Sequence, residues 1–320
     1  MEEIDNNDYV NNLDDIDLRE IFFALFKGKL IILFITSFLS VSGIIYSLIL
    51  PNLYKAESLL APVESSSSLL NSLGEYSSLA GLVGINLPGG DSDENSKKAF
   101  EVMTSLSFFE NHIMPKIFLA DLMAVKSWNH EKNKIIYNKN VFDENSATWV
   151  RNFSYPQRLI PSAQESFEVF KDDHLSLEED KKTGYLTLSI VHQSPFIAKQ
   201  WVEIIFNEVN AFYREKDKMQ SEKAIVYLQD QFVKTSFSEV KVVTASLIQQ
   251  EIQKLTLIEA NKDYVFEYIY PPSVMEENSE PSRSLIVTLF TFFGFIFSVI
   301  IVLFRHYYLK SLSKKNIEMK

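Results

Sequence analysis

Side chains able to do chemistry are scarce between residues 51 and 284, and they lie far apart. The histidines of that stretch are His112, His130, His174 and His192. None has a second histidine at the short spacing that lets one helix or turn hold a metal, and the chain has no cysteine to complete a ligand set. The lack of cysteine also excludes disulfides and thiolate chemistry, and it is compatible with an oxidising compartment. The acidic pairs Asp172-Asp173 and Glu178-Glu179 fall in polar stretches where solvated charge explains them. No serine or threonine stands beside an evident base, and no glycine-rich run ends in the Gly-Lys-Ser/Thr of a phosphate loop. A net charge of −11, without a basic patch interleaved with aromatics, excludes a nucleic-acid surface. The expectation is no catalytic centre, no cofactor and no metal.

The elements around these residues explain that poverty. Two uncharged apolar runs, Leu30–Leu50 and Leu285–Phe304, bracket the rest of the chain. Each is about 20 residues, the length of helix that crosses a hydrocarbon core roughly 30 Å thick. The first lies behind a long acidic segment and has too long an apolar core for a cleaved signal peptide. Arg19, Lys27 and Lys29 precede it, and Arg305, Lys310, Lys314, Lys315 and Lys320 follow the second run. Basic residues at span ends stay in the cytoplasm, so both tails are expected there, with one domain across the membrane. The expected layout is a tail at 1–29, a span at 30–50, an outer domain at 51–284, a span at 285–304 and a tail at 305–320. Gly43 and Ser47, then Gly294 and Ser298, put small residues four apart on each span, a spacing that lets helices approach closely. Asp14, Asp15 and Asp17 could cap an amphipathic helix carrying Ile21, Phe22 and Leu25 before the first span.

Within the outer domain, Asn52–Pro62 reads as a strand leaving the membrane. Ser65–Gly90 reads as a surface loop, although its leucines and isoleucine also suit a segment covered by a partner. Ser96–His112 has helical spacing, Ile117–Val125 is a shorter apolar stretch, and residues 129–165 look irregular. Phe167–Phe170 and Tyr185–Val191 are β-prone. Ser194-Pro195 opens the longest stretch free of helix breakers, with Ser194 as cap and Pro195 at the first helical position. Apolar residues then recur every seventh position: Ala198, Ile205, Phe212, Met219, Val226 and Val233. The apolar face is broad at first and narrows to Met219 within Arg214–Lys223, so the helix should leave a globular base and enter water. A break near Thr235–Ser238, a second helix over about Glu239–Ala260 and a returning strand at Tyr264–Tyr270 give an antiparallel hairpin. The base is then 51–194 with 262–284, and the extension 195–261. Pro271, Pro272, Pro281 and Arg283 make a stiff, extended approach to the second span. The fold class is α+β.

This order of parts resembles the Wzz-type polysaccharide co-polymerases, the regulators of O-antigen chain length. The likeness is carried by Ile16-Asp17-Leu18-Arg19-Glu20 before the first span, Tyr54-Lys55-Ala56-Glu57 with Leu60 and Pro62 after it, and residues 78–85 (SLAGLVGI). Trp128, Trp149-Val150-Arg151, Pro161-Ser162, Thr183-Gly184, His192, Ser194-Pro195, Ala198, Trp201, Asn210 and Arg214 continue it, and Pro272, Pro281 and Arg283 end it. The insertion of 274–279 (VMEENS) between Pro272 and Pro281 departs from the pattern and weakens any role copied to those prolines. The resemblance implies an inner-membrane protein with a periplasmic α/β base and a long helical extension. It implies a homo-oligomeric ring that works with a Wzy-type polymerase on a growing lipid-linked polysaccharide, embedded in membrane lipid and catalysing nothing itself. Ile205, Phe212, Met219 and Val226 are then the expected seam for contacts between copies. Relatives fused to a tyrosine kinase carry a Walker motif, which this chain lacks. The alternative within the same fold is an adaptor that activates a separate tyrosine kinase or exporter for capsule or exopolysaccharide. A two-span sensor would need an output module, and a periplasmic enzyme would need a catalytic acid.

Overall fold

The computed structural model describes residues 18–63 and 92–318. The proposed cap at Asp14, Asp15 and Asp17, the Ser65–Gly90 segment, and Ile16 and residues 78–85 of the resemblance lie outside the described residues. The chain forms two units, Asn52–Ser279 and the two ends, Met1–Pro51 with Glu280–Lys320.

The unit of the ends contains helix α1 (Leu18–Lys27), helix α2 (Lys29–Ile49) and, from the far end of the sequence, the helix Arg283–Glu318. Two segments, Lys29–Ile49 and Arg283–Leu309, are long and apolar enough to cross a membrane. Their side chains are mostly exposed, which in water would be untenable for so many leucines and phenylalanines and suits a lipid surround.

The other unit begins with strand β1 (Tyr54–Pro62), then helix α3 (Ser92–Met103) and the short helix α4 (Leu119–Met123). Two small hairpins follow, β2 (Val125–Asn129) with β3 (Lys134–Tyr137), and β4 (Phe142–Asp143) with β5 (Thr148–Trp149). Helix α5 (Ala163–Val169) leads to strands β6 (Leu175–Glu179) and β7 (Leu186–His192). The long helix α6 (Pro195–Lys234), its partner α7 (Ser238–Ala260) and strand β8 (Phe266–Tyr270) close the unit; the helix Arg283–Glu318 is then α8. One antiparallel sheet runs in the order β6-β7-β1-β8. Tyr54 pairs with His192 at one end of β1, and Leu60 with Leu186 toward the other.

The sheet buries alternate residues, Ala56, Ser58 and Leu60 on β1 and Leu186, Leu188 and Ile190 on β7, as a period of two requires. Against β1 and β7 lies the first half of α6. Its buried set, Ala198, Trp201, Val202, Ile205, Phe206, Val209 and Tyr213, keeps the three- and four-residue steps of a helix face. Each such aliphatic side chain contributes about 1.5–3 kcal/mol on burial, so this contact fixes the helix to the sheet.

Several expectations need correction. Phe167–Phe170 is helical, not a strand. Ser162 caps α5, its hydroxyl accepting from Glu165 N at 3.2 Å, and Ser166 and Phe170 are buried one turn apart. A short run such as Phe-Glu-Val-Phe fits both periods, and the cap decides between them. The strand falls instead at β6, where Leu175 and Leu177 alternate with polar residues. Residues 129–165 are less irregular than expected, since they hold most of two hairpins around Phe142, Tyr137 and Trp149. The helix expected over Ser96–His112 stops at Met103, where Ser105 caps a new turn that widens over Phe109–Ile113. Ser194 precedes α6 as expected, but its side chain makes no capping bond.

Candidate interaction surfaces of the base, the extension and the spans

Where α6 leaves the base, one side chain holds the return strand. Asn210 is buried on α6, and its Oδ1 accepts from the backbone N–H groups of Tyr264 (3.1 Å), Val265 (2.7 Å) and Phe266 (3.0 Å). Its Nδ2 donates to Phe266 O at 3.0 Å. An asparagine can satisfy both peptide polarities at once, which neither aspartate nor leucine can do. About two helical turns further on, the Tyr264 hydroxyl donates to Asp217 (2.6 Å), and burial together with that carboxylate raises the phenol's pKa. Lys218 pairs with Glu259 across the two helices. These contacts fix the direction in which the hairpin leaves the base.

Beyond Tyr213 the helix continues for 21 residues to Lys234, about 30 Å at 1.5 Å per residue. Few side chains are covered there. Ser221 and Thr244 are buried between α6 and α7, whereas Met219 is 45% and Val226 67% exposed. Tyr227, Val233, Phe237 and Val242 are more than half exposed. The seam expected from the seven-residue repeat therefore divides. Ile205, 2% exposed, belongs to the chain's own core, and Phe212 packs edge-on against Phe108. Of the four seam residues, Met219 and Val226 remain available to another molecule; with Tyr227 they line an open apolar recess shared with Glu222, Lys223 and Asp230. The sequence repeat could not separate the two kinds of position, because core and interface demand the same residue types.

The histidines group more closely than their spacing suggested, but not as ligands. His174 and His192 stack at 5.6 Å, both against Trp201. His192 Nε2 donates to Asp121 O (3.0 Å), and its Nδ1 accepts from Ser194 N (2.9 Å). His174 Nδ1 donates to Val191 O at 2.6 Å. Burial pushes His192 down to about 4 and lowers His174 as well, so both rings are neutral near pH 7. Asp121 is raised by burial, opposed by the Tyr137 hydroxyl that donates to it at 2.6 Å. The cluster ties α4 to the end of the sheet and to the start of α6. Among the described residues no group of three or more histidine, aspartate or glutamate side chains could hold a metal ion.

Gly43, Ser47, Gly294 and Ser298 all lie where α2 meets α8. A methyl at Gly43 would stand 2.7 Å from Phe290 Cβ, and one at Gly294 would stand 3.0 Å from Leu39 Cβ. Ser47 and Ser298 are buried. Sequence spacing missed two further contributors. Thr291 Oγ1 donates to Ser40 Oγ at 3.0 Å, and a side chain at Gly28 would run into Val302. A hydroxyl pair carries no periodic signal, and Gly28, with the small residue Ala24 four positions before it, lies ahead of the first apolar run. Of the proline-rich approach, Pro272 is buried while Pro271 and Arg283 are exposed. Ser279 donates from its backbone N–H to Leu53 O at 2.8 Å, which pins the outgoing chain to the segment before β1.

Residues 14–113 match the family model described as Wzz, chain length determinant protein. No curated protein matches the chain by sequence. Among solved structures, a full-length bacterial polysaccharide co-polymerase is 13% identical, covering 92% of this chain and 99% of its own, with a TM-score of 0.37. A fragment of WzzB, a polysaccharide co-polymerase from Salmonella Typhimurium, is 13% identical over 72% of this chain and 100% of its own, with a TM-score of 0.31. A Shigella flexneri lipopolysaccharide O-antigen chain-length regulator is 11% identical over 71% and 100%, with a TM-score of 0.24. The matched stretch, residues 14–113, contains the candidate span α2, the first strand of the sheet and helix α3.

Proposed function

We propose that this protein sets the modal length of a surface polysaccharide, O-antigen or a similar polymer, as a non-catalytic scaffold. The observation that carries the reading is the Wzz region at 14–113 joined to a two-span frame and a hairpin whose upper half is uncovered. In this reading both tails are cytoplasmic and residues 51–284 face the periplasm of the inner membrane, the orientation the basic tails favour. The base is 51–194 with 262–284, and 195–261 is the extension. Copies assemble as a ring, with Met219 and Val226 meeting a neighbour, since apolar side chains on an otherwise polar helix gain most from a second copy. The ring works with a Wzy-type polymerase on the lipid-linked chain. The small-residue face of the spans and the prolines before α8 hold the frame beneath it.

The test is the polysaccharide ladder of a deletion strain, with and without the restored protein. Loss of a modal cluster while polymer of unregulated length is still made is the expected result. Loss of all surface polymer would replace this reading with an adaptor that activates a separate tyrosine kinase or exporter. An unchanged ladder would refute both.

A further inference from the structure

The base carries an apolar, cationic loop whose exposed side chains are left uncovered by the described residues. Residues 145–164 contain no aspartate or glutamate, in a chain of net charge −11. Within that stretch Phe153 is 51%, Tyr155 95% and Ile160 58% exposed, with Arg158 exposed beside them. Their backbone is nevertheless tightly held. Arg151 forms a bidentate pair with Glu165 and also donates to Leu159 O (3.1 Å) and Arg158 O (2.6 Å). Gln157 N donates to Ser154 O at 2.8 Å. A fixed loop that presents aromatic and aliphatic side chains to solvent marks a contact surface.

The loop is attached at the end of the base where the chain arrives from the first span. It leaves directly after β5, with Val150 N bonded to Val141 O at 3.0 Å. The α4–β5 region meets the sheet through Trp128 on Tyr54 (5.4 Å between ring centres) and His192 on Asp121 O. Tyr54 and His192 are paired residues at that end of the sheet, and only residues 50–53 separate Tyr54 from the last residue of α2. The five residue steps from Ile49 to Tyr54 reach at most about 18 Å. Covalent length alone therefore limits how far Tyr54 can lie from the end of the first span.

We propose that residues 150–160 dock on the bilayer, with Phe153, Tyr155 and Ile160 entering the interfacial layer and Arg158 meeting anionic headgroups. Aromatic side chains favour that layer, and a cation on an otherwise acidic chain is drawn to negative lipid. The inference rests on the two spans and not on the chain-length role.

The chain's freedom from cysteine makes the test direct. Full-length Tyr155→Cys, Lys181→Cys and Phe38→Cys proteins are spin-labelled and reconstituted in phosphatidylcholine vesicles with and without phosphatidylglycerol. Collision with oxygen, which partitions into lipid, is compared with collision with a water-soluble nickel chelate. Lys181 is exposed in the turn at the opposite end of β7, and Phe38 is exposed on α2. The expected oxygen-to-nickel ratio at 155 exceeds that at 181 several-fold, and falls when phosphatidylglycerol is omitted or Arg158→Glu is added. A ratio at 155 equal to that at 181 overturns the proposal. So does shielding from both probes with crosslinking between copies at 155, which would make the loop a protein–protein contact. A water-like label at 38 would overturn the spans and the proposal together, leaving the ladder to judge the chain-length role separately.

Discussion

Replacing Asn210 by alanine should damage the base more than any other polar substitution on α6. The amide makes four hydrogen bonds to the segment Tyr264–Phe266, three of them into one oxygen. Truncation removes all four and leaves buried N–H groups with no acceptor. Each buried donor left unsatisfied costs about 1–3 kcal/mol, and the three share one acceptor, so they do not add in full. The expected loss is about 3–5 kcal/mol, a large part of the stability of a domain of this size. Asn207→Ala is the control, because Asn207 is exposed on the same helix three residues earlier and should change stability by no more than about 0.5 kcal/mol. The assay is urea unfolding of the full-length protein in mild detergent, followed by the fluorescence of its three tryptophans, of which Trp201 is buried between the sheet and α6. A difference between the two variants below about 1 kcal/mol would mean that β8 is held by its sheet pairing alone, and the argument would fail.

Three further outcomes follow from the same geometry. His192 has a folded pKa of about 4 against an ordinary 6.5, so its contribution is complete above pH 6.5 and is lost as pH falls toward 4. The stability gap between wild type and His192→Gln should narrow by about 1.4 kcal/mol per pH unit over that window, to a total of about 3 kcal/mol; a gap that is flat with pH refutes the assignment. Gly43→Leu drives a side chain into Phe290 and should part α2 from α8. A Ser40→Cys/Thr291→Cys pair, built where the hydroxyls lie 3.0 Å apart, should oxidise readily alone and poorly with Gly43→Leu. Val226→Asp, on the uncovered half of α6, should leave unfolding within about 0.5 kcal/mol of wild type while lowering the mass of the assembly in detergent. An unchanged mass would remove Val226 from any contact between copies.

How far the sequence revealed this arrangement depended on how far apart the cooperating residues lie. The spans, the break at 235–237 and the alternation on β1 and β7 depend on neighbours within a few turns, and all were legible. The helix at 163–169 was legible in principle, since Ser162 and Glu165 stand at capping-box spacing, but two phenylalanines three apart masked it. Long-range partners leave no such trace. Nothing near Asn210 in sequence announces that it will hold residues 264–266, and Asp121 does not point to His192, 71 positions away. Asn210 stood out only through the family resemblance. The seam was half legible, because Ile205 and Val226 share a repeat and differ only in what lies over them.

The distribution of burial along α6 argues for a division of labour within one helix. Its first 19 residues, Pro195–Tyr213, carry nearly all of its buried side chains, so folding of the base already fixes their position. The remaining turns gain little from α7, whose buried residues are only Thr244 and Ile258. An isolated polar hairpin of this kind is marginal in water, and helix propensity alone would not hold it straight. Two things can stabilise it, rigid launching from the base and cover from outside the chain. The Asn210, Asp217 and Lys218 contacts supply the first, all of them within eight residues of the point where the helix leaves the sheet. The second must come from side chains such as Val226 and Val233, which are 67% and 80% exposed. Mutating the launching contacts should therefore change stability and assembly together, whereas mutating the uncovered face should change assembly alone, and it is that separation which a scaffold acting through its upper half requires.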